Sequence, residues 1–127
     1  MTPTFLIATQ HKDRFISLAG ALEEVIHADI HWTETGQETL QRAGDILPIL
    51  TIIDETLPDM SGLEIVREIM KTNALLNTAL VSPLSSKDFH EFSEGLGILL
   101  QLPASPGEKE AWEIVSCLKS IFALPAS

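Results

Sequence analysis

The side chain with the clearest chemical potential is the carboxylate of Asp54, which closes a short apolar run that starts at Ile49. An apolar run bounded by turn signals is typical of a fully buried strand in a parallel sheet. In such sheets, ligands and chemistry lie just beyond the carboxyl ends of the strands. The pattern therefore predicts that Asp54 stands at a functional edge, ahead of a loop with Pro58 and Gly62 and then a helix.

The chain around Asp54 alternates between strand and helix patterns five times. Strands are predicted at Phe5–Ala8, Asp29–Thr33, Ile49–Asp54, Thr78–Ser82 and Ile98–Gln101. The first helix is predicted to follow the polar segment Thr9–Asp13 and to end at Ile26. The other helices are predicted from Thr35 to Ala43, from Ser61 to about Lys71, from Ser86 to Glu94 and from about Gly107 to Phe122. Gly44 and Gly95 are the predicted stops of the second and fourth helices. The alternation predicts an α/β, flavodoxin-like doubly wound fold, with a five-stranded parallel sheet of order 2-1-3-4-5 and helices on both faces. One domain is expected to fill residues 1–127.

Apolar residues at three- and four-residue spacing predict which face of each helix is buried. Thr9 or Asp13 can cap the first helix, and Ser61 the third. In the last helix the predicted buried stripe consists of Ala111, Ile114, Val115, Leu118, Ile121 and Phe122.

Composition excludes several classes of function. The 127 residues include 8 basic and 18 acidic side chains, a net charge of −10 that is poorly suited to binding nucleic acid or an anionic membrane. The longest apolar stretches fall far short of the roughly 20 residues that span a bilayer. No basic segment precedes the first apolar run, so no secretory signal is expected. The single cysteine, Cys117, fits a reducing cytoplasm and is expected to be a small buried side chain.

Asp54 and the segment Leu57–Glu64 resemble the phosphoacceptor strand and the following loop of response-regulator receiver domains in two-component signalling. Pro58 and Gly62 match that family's loop, and the resemblance extends from Thr4 to about Ala123. It implies that Asp54 occupies the position to which a sensor histidine kinase transfers a phosphoryl group with the help of Mg²⁺.

The metal-binding part of the family pattern is altered. Where receivers have two acidic residues after the first strand, this sequence has the neutral residues Thr9 and Gln10. Mg²⁺ prefers hard oxygen ligands in near-octahedral geometry. If Mg²⁺ binds, Asp54 and the backbone carbonyl near Thr56 are the donors that the resemblance leaves, so a weak site or none is expected. No other cofactor is predicted.

The phosphate-binding part also departs from the family. Leu102, ahead of Pro103, stands where the family has a lysine, and Leu99 stands where an aromatic switch residue is expected. Ser82 retains the switch hydroxyl at the end of the fourth predicted strand. Phosphoryl transfer depends on positioning and on electrostatic stabilisation of the phosphoryl oxygens. The resemblance therefore implies weak or absent phosphorylation.

Several of these side chains have two interpretations. Asp54 is either a vestigial, conformational carboxylate or a working phosphoacceptor. His11 is either an exposed loop residue or a hydrogen-bond partner of Asp54 that substitutes for a missing cation. Glu55 either points into solvent or offers a metal a second oxygen, and Asp13 either caps a helix or replaces a metal ligand. Ser82 can also simply satisfy a backbone group beside Pro83.

Receivers communicate through a face made by helix four, strand five and helix five. Here the fourth helix carries an acidic set that includes Asp88 and Glu91. Trp112 lies off the buried stripe of the last helix, so it is expected to be at least partly exposed. Tryptophan is enriched at interaction hot spots, so Trp112 either marks a dimer or partner interface or folds over residues 102–106.

Three functional hypotheses follow. The first is a cytoplasmic, non-enzymatic receiver domain that acts as a protein–protein interaction module with a degraded site at Asp54. Its partners would be a sensor histidine kinase or other signalling proteins, or a second copy of the chain. The second is a working phospho-accepting response regulator, and the third is a small flavodoxin-like enzyme or cofactor binder. The third is weakened because the segment Thr9–Asp13 has no glycine to admit a phosphate or flavin. The closing segment 124–127 suits a linker as well as a terminus.

Overall fold

The computed structural model describes residues 2–122, so the closing segment 124–127 lies outside the described residues. Five parallel strands form one sheet in the order β2-β1-β3-β4-β5, which confirms the predicted topology. The strands are β1 (Thr4–Ala8), β2 (Asp29–Thr33), β3 (Leu50–Ile53), β4 (Thr78–Val81) and β5 (Ile98–Leu102).

A helix follows each strand, as predicted. The helices are α1 (Ile16–Ile26), α2 (Gly36–Ile46), α3 (Gly62–Thr72), α4 (Ser86–Phe92) and α5 (Glu108–Ile121), with a 3₁₀ turn at Lys12–Phe15 before α1. One core lies between the sheet and the α1 and α5 helices, and a second core lies on the α3 and α4 side. In the part of the chain from residue 2 to residue 122, no helix is both long and apolar enough to cross a bilayer.

Strand alternation divides the central strand between these two cores. Ile52 points to the α1 and α5 side, and Ile53 points to the opposite side. Because β3 runs beside β1 with Ile53 opposite Ala8, the next residues of the two strands, Asp54 and Thr9, leave the sheet side by side. The register therefore brings the two residues together at one edge of the sheet.

The predicted end of the second helix was wrong. Gly44 does not stop α2, which continues to Ile46 and ends at Leu47 in the left-handed region with φ of 45°. Pro48 follows directly, and the residue before a proline is disfavoured in the helical conformation. The proline, rather than the glycine, therefore sets the end of this helix.

The predicted cap of the first helix was also wrong. Neither the 3₁₀ turn nor α1 has a capping hydrogen bond from a side chain. Asp13 lies inside the turn, and the Thr9 hydroxyl accepts a hydrogen bond from the His11 backbone N–H instead. Ser61, in contrast, caps α3 as predicted, because its hydroxyl accepts a hydrogen bond from the Glu64 N–H at 3.1 Å.

The buried stripe of α5 is shorter than predicted. Ile121 is 50% exposed and Phe122 is 39% exposed. Phe122 has extended backbone geometry, so the helical period no longer applies to it. Leu118 is the last residue of α5 in the core, and Ile121 lies one turn beyond it. Helical periodicity predicts which face of the helix a residue occupies. Burial of that residue also requires a neighbouring element that packs against the same turn of the helix.

Candidate functional site

The carboxylate of Asp54 is almost fully buried at the carboxyl end of the central strand, with 6% of the residue exposed. Its Oδ2 accepts a hydrogen bond from the Thr9 hydroxyl at 2.6 Å. Its Oδ1 accepts a hydrogen bond from the Glu55 backbone N–H at 2.8 Å. The Asp54 N–H donates to the Ala8 carbonyl at 2.9 Å, which ties this residue to the neighbouring strand. Both carboxylate oxygens are therefore engaged with neutral donors.

Thr9 organises the loop after β1 around this carboxylate. A hydroxyl has one proton to donate and lone pairs to accept. Thr9 donates to Asp54 and accepts from the His11 N–H at 2.9 Å, while its own N–H donates to the Thr33 carbonyl at 2.9 Å. The Gln10 and His11 residues are exposed. The backbone of His11, and not its imidazole, thus takes part in the hydrogen-bond chain that leads to Asp54.

The loop after β3 is held by close packing at Gly62. The Gly62 N–H donates to the Glu55 carbonyl at 2.8 Å. A Cβ on Gly62 would overlap the backbone carbonyl oxygen of Asp54 and lie 2.5 Å from Leu80 Cδ1. Real Cβ atoms are not found at such separations, so the loop requires glycine here. Thr56 and Glu55 are both exposed, and Thr56 forms an isolated bridge with Ser61 across the loop.

Asp59, in the same loop, was not singled out by sequence reasoning. Its Oδ1 accepts from the Gly36 N–H at 2.7 Å and its Oδ2 from the Gln37 N–H at 3.0 Å, so it caps the start of α2. These two backbone hydrogen bonds favour the carboxylate and lower the pKa of Asp59 below its usual value. The local sequence signal for this helix start was Thr35, which accepts from the Glu38 N–H at 3.1 Å. No local signal links Asp59 to α2.

Ser82 forms hydrogen bonds within the loop after β4. The Ser82 hydroxyl accepts from the Leu84 N–H at 3.3 Å, in accord with the interpretation that it satisfies a backbone group beside Pro83. The side-chain amide of Gln101 donates to the Ser82 carbonyl at 3.0 Å and to the Leu84 carbonyl at 2.7 Å. Gln101, a second residue that sequence reasoning missed, thereby joins β5 to the loop after β4.

The leucines at positions 99 and 102 of β5 contribute to the core. Leu102 is 1% exposed and packs in the cluster beneath α1 and α5. Leu99 is partly buried and packs against the same cluster. The position at which the family resemblance places a lysine is thus occupied by a buried apolar side chain.

Lys12, the first residue of the 3₁₀ turn before α1, packs against an aromatic ring. Its Nζ lies 4.7 Å from the centroid of the Trp32 ring. Such a cation–π contact holds the ammonium over the ring. Within residues 2–122, no group of three or more His, Cys, Asp or Glu side chains is arranged to hold a metal ion.

The predicted partner residues are at the surface. Asp88 and Glu91 are exposed on α4, and Asp88 lies in its first turn. Trp112 is 49% exposed, in agreement with its position off the buried stripe of α5. Cys117 is partly buried and unpaired in the described part of the chain.

No family model matches this chain, and no curated protein matches it. Several solved structures with the same fold are response-regulator receiver domains. The receiver domain of the Francisella response regulator 1452 has 19% identity and a TM-score of 0.82, over 95% of this chain and 100% of that one. A receiver domain protein from Methanospirillum hungatei has 21% identity and a TM-score of 0.80, over 94% and 96%. A chemotaxis response regulator of Vibrio cholerae has 13% identity and a TM-score of 0.79, over 93% and 99%. At these identities the likeness is one of fold, and the fold is that of receiver domains.

Proposed function

We propose that this chain is a single receiver domain of a two-component signalling system that acts by binding other proteins, with little or no phosphorylation at Asp54. The observation that carries the proposal is the neutral surrounding of Asp54. Both oxygens of its carboxylate accept hydrogen bonds from uncharged donors, Thr9 and the Glu55 backbone. The likeness in fold to receiver domains supports the proposed class of protein, and the neutral residues Thr9 and Gln10 support the proposed loss of phosphorylation.

The residues around Asp54 do not fit Mg²⁺. The ion dehydrates reluctantly and is usually bound through one or two carboxylates in octahedral geometry. Asp54 is the one carboxylate among the aligned positions, since Thr9 and Gln10 are neutral. The Thr9 hydroxyl is already engaged with Asp54 and with the His11 N–H. No step of the proposed function therefore passes through a metal ion.

The phosphoryl group would also lack its usual cationic partner. Stabilisation of the phosphoryl oxygens is most of what a protein contributes to phosphoryl transfer. Leu102 has no charge to offer, and its side chain is in the core. Loss of one preorganised donor typically costs about 10²–10³ in rate. Absence of both the acidic pair and the lysine supports a proposal in which phosphate transfer is not the signal.

Partners are proposed to be proteins, either a sensor histidine kinase, another signalling protein or a second copy of the chain. The exposed residues Asp88, Glu91 and Trp112 are candidates for the contact surface. The net charge of −10 argues against nucleic acid and anionic membranes as partners. We further propose that the protein works in the cytoplasm and has no enzymatic activity.

The test is treatment with acetyl phosphate and Mg²⁺, followed by intact-mass spectrometry and hydroxylamine. Wild type is expected to show no hydroxylamine-labile mass gain, because the metal and phosphate ligands are absent. A variant with Thr9→Asp and Gln10→Asp serves as the positive control and is expected to gain mass. Leu102 is kept in this variant, because a lysine there would place an ammonium group in the core. The same variant with Asp54→Asn should not. A stoichiometric gain on wild type that Asp54→Asn abolishes would favour the working response regulator instead.

A further inference from the structure

A groove beside Asp54 is not used by the function proposed above. It has a volume of about 420 Å³ and lies between the loop after β3, the loop after β4 and α4. Leu63, Leu84 and Phe92 contribute apolar walls, and Glu55 and Ser82 contribute polar groups. Its size falls in the range of roughly 300–1,000 Å³ in which binding pockets are found. The groove therefore has room for one or two side chains of a ligand.

Its apolar walls are exposed and held in place. Phe92 is 46% exposed and Leu84 is 38% exposed. The Phe92 ring packs at a centroid distance of 6.4 Å on Phe89, which is 7% exposed and part of the core. The Leu84 backbone is fixed at both its N–H and its carbonyl, through Ser82 and Gln101. An apolar side chain that enters the groove meets preformed walls, which lowers the entropic cost of binding.

Two carboxylates lie beside these walls, and Arg67 is spaced four positions after the wall residue Leu63 on α3. Glu55 lines the groove and is exposed. Asp88 precedes Phe92 by four positions on α4, and residues at that spacing are neighbours on a helix surface. Lys87 and His90, the basic residues of the same helix, lie on other sides of it at about 100° per residue. The groove thus presents an apolar centre with carboxylates beside it.

We propose that this groove binds a basic amphipathic segment of a protein partner. An apolar side chain of that segment fills the space between Leu84 and Phe92, and its lysine or arginine side chains face Glu55 and Asp88. Amphipathic helices commonly bind apolar grooves in this way. This inference rests on the proposed protein-binding role and shares Asp88 with the surface proposed above. It needs neither phosphate on Asp54 nor Trp112, and Leu84 and Phe92 belong to the groove alone, so substitutions of these two residues test the groove separately.

The experiment measures fluorescence anisotropy of a fluorescein-labelled synthetic peptide with leucines at i, i+3, i+4 and i+7 and lysines on its flanks. The protein is the full chain. Phe92→Ser is expected to weaken binding by about tenfold or more, because a buried aromatic contact is lost. Leu75→Ser, at a 90% exposed leucine after α3, is the matched control and should leave binding unchanged. Asp54→Asn should also bind the peptide as wild type does.

A charge exchange separates specific from general attraction. Glu55→Lys with Asp88→Lys should weaken binding of the lysine peptide and strengthen binding of a peptide with glutamates in place of the lysines. Circular dichroism checks the fold, and Leu84→Ser takes the place of Phe92→Ser if the latter does not fold.

Three results would overturn the proposal. One is a loss of peptide binding in Leu75→Ser as large as that in Phe92→Ser. Another is that a peptide whose leucines are replaced by serine binds wild type as tightly as the leucine peptide does. The third is a dimer of the wild-type chain in sedimentation velocity that Phe92→Ser abolishes, since the groove would then belong to a second copy.

Discussion

Two loops meet at Asp54, and they differ in how their residues are used. In the loop after β3, Gly62 permits close contact with the Asp54 backbone, Ser61 caps α3, and Asp59 caps α2. In the loop after β1, Gln10 and His11 are exposed, and Thr9 provides the one side-chain hydrogen bond to Asp54 found within residues 2–122. The first loop is built by packing and backbone hydrogen bonds, and the second by a single hydroxyl.

The difference explains why the family pattern is strong in one loop and weak in the other. Gly62, which matches receivers, is required by the close approach of the Asp54 backbone, whether or not phosphoryl transfer takes place. Thr9 and Gln10 occupy positions that the family uses for metal ligation, which the backbone does not require. A match to receivers in the loop after β3 is therefore informative about the fold. A match or mismatch in the loop after β1 is informative about the chemistry.

The largest expected effect is that of Gly62→Ala. The new Cβ would overlap the Asp54 carbonyl oxygen, and a backbone atom cannot move aside as a flexible side chain can. We expect the free energy of unfolding to fall by roughly 3 kcal/mol or more, as overpacking of a rigid site does. Urea denaturation measures this change.

Gly44→Ala is the matched control, because nothing lies within 4 Å of a Cβ at that position in α2. Removal of a glycine from a helix should raise the free energy of unfolding by about 0.5–1 kcal/mol. Equal effects of the two substitutions would contradict the contrast between a packed loop and an open position.

The hydroxyl of Thr9 gives the next largest effect. Thr9→Val keeps the shape and leaves both the Asp54 Oδ2 and the His11 N–H without their present partner. We expect a loss of about 1–3 kcal/mol in the free energy of unfolding, the usual cost of a buried polar group left unsatisfied. Thermal and urea unfolding of the variant measure it.

Thr51→Val provides the opposite control. Thr51 is fully buried in β3, and its hydroxyl has no hydrogen-bond partner within residues 2–122. Replacement of that hydroxyl by a methyl group removes an unsatisfied polar atom and should raise stability by roughly 1 kcal/mol. If both threonines tolerated valine equally, the hydrogen bond of Thr9 to Asp54 would have no structural importance.

Much of the fold could be predicted because its signals are local. Buried parallel strands are short apolar runs, and β3 was found from the run that ends at Asp54. The helix ends were harder, since Gly44 had the expected residue type but Pro48 determined where α2 stops. The exposure of Ile121 was also not predictable from local signals, because it depends on which other elements pack against the last turn of α5.

The site was predicted less completely because several of its contacts join distant parts of the chain. The Thr9 and Asp54 positions followed from the strand order, but their direct hydrogen bond spans 45 residues and had no signal in the sequence. Asp59 reaches Gly36, 23 residues earlier, and Gln101 reaches Leu84, 17 residues earlier. A side chain that stabilises a backbone group elsewhere in the fold cannot be recognised until the topology brings the two together.

The smallest expected effect concerns Asp59, and it tests whether the loop after β3 also stabilises α2. Its two backbone hydrogen bonds lower the pKa of Asp59 from the ordinary value of 3.8 in the unfolded chain. A lowered pKa in the folded state means that the contribution is fully present above pH 3.8 and is lost as the pH falls through the folded-state pKa. Asp59→Asn should therefore be less stable than wild type at neutral pH, because the amide offers one oxygen where the carboxylate offers two.

Urea denaturation of both proteins as a function of pH measures this contribution. The two midpoints should converge as the pH falls from 3.8 through the lowered folded-state pKa of Asp59, at which the carboxylate of the folded wild type becomes protonated. Salt should reduce the difference at neutral pH only in part, because backbone hydrogen bonds to the carboxylate remain when its charge is screened. A difference that stayed constant through the acidic range would show that the Asp59 contribution does not come from its ionised form. The loop after β3 would then hold α2 through contacts such as that of Met60 with Gly36, rather than through the carboxylate.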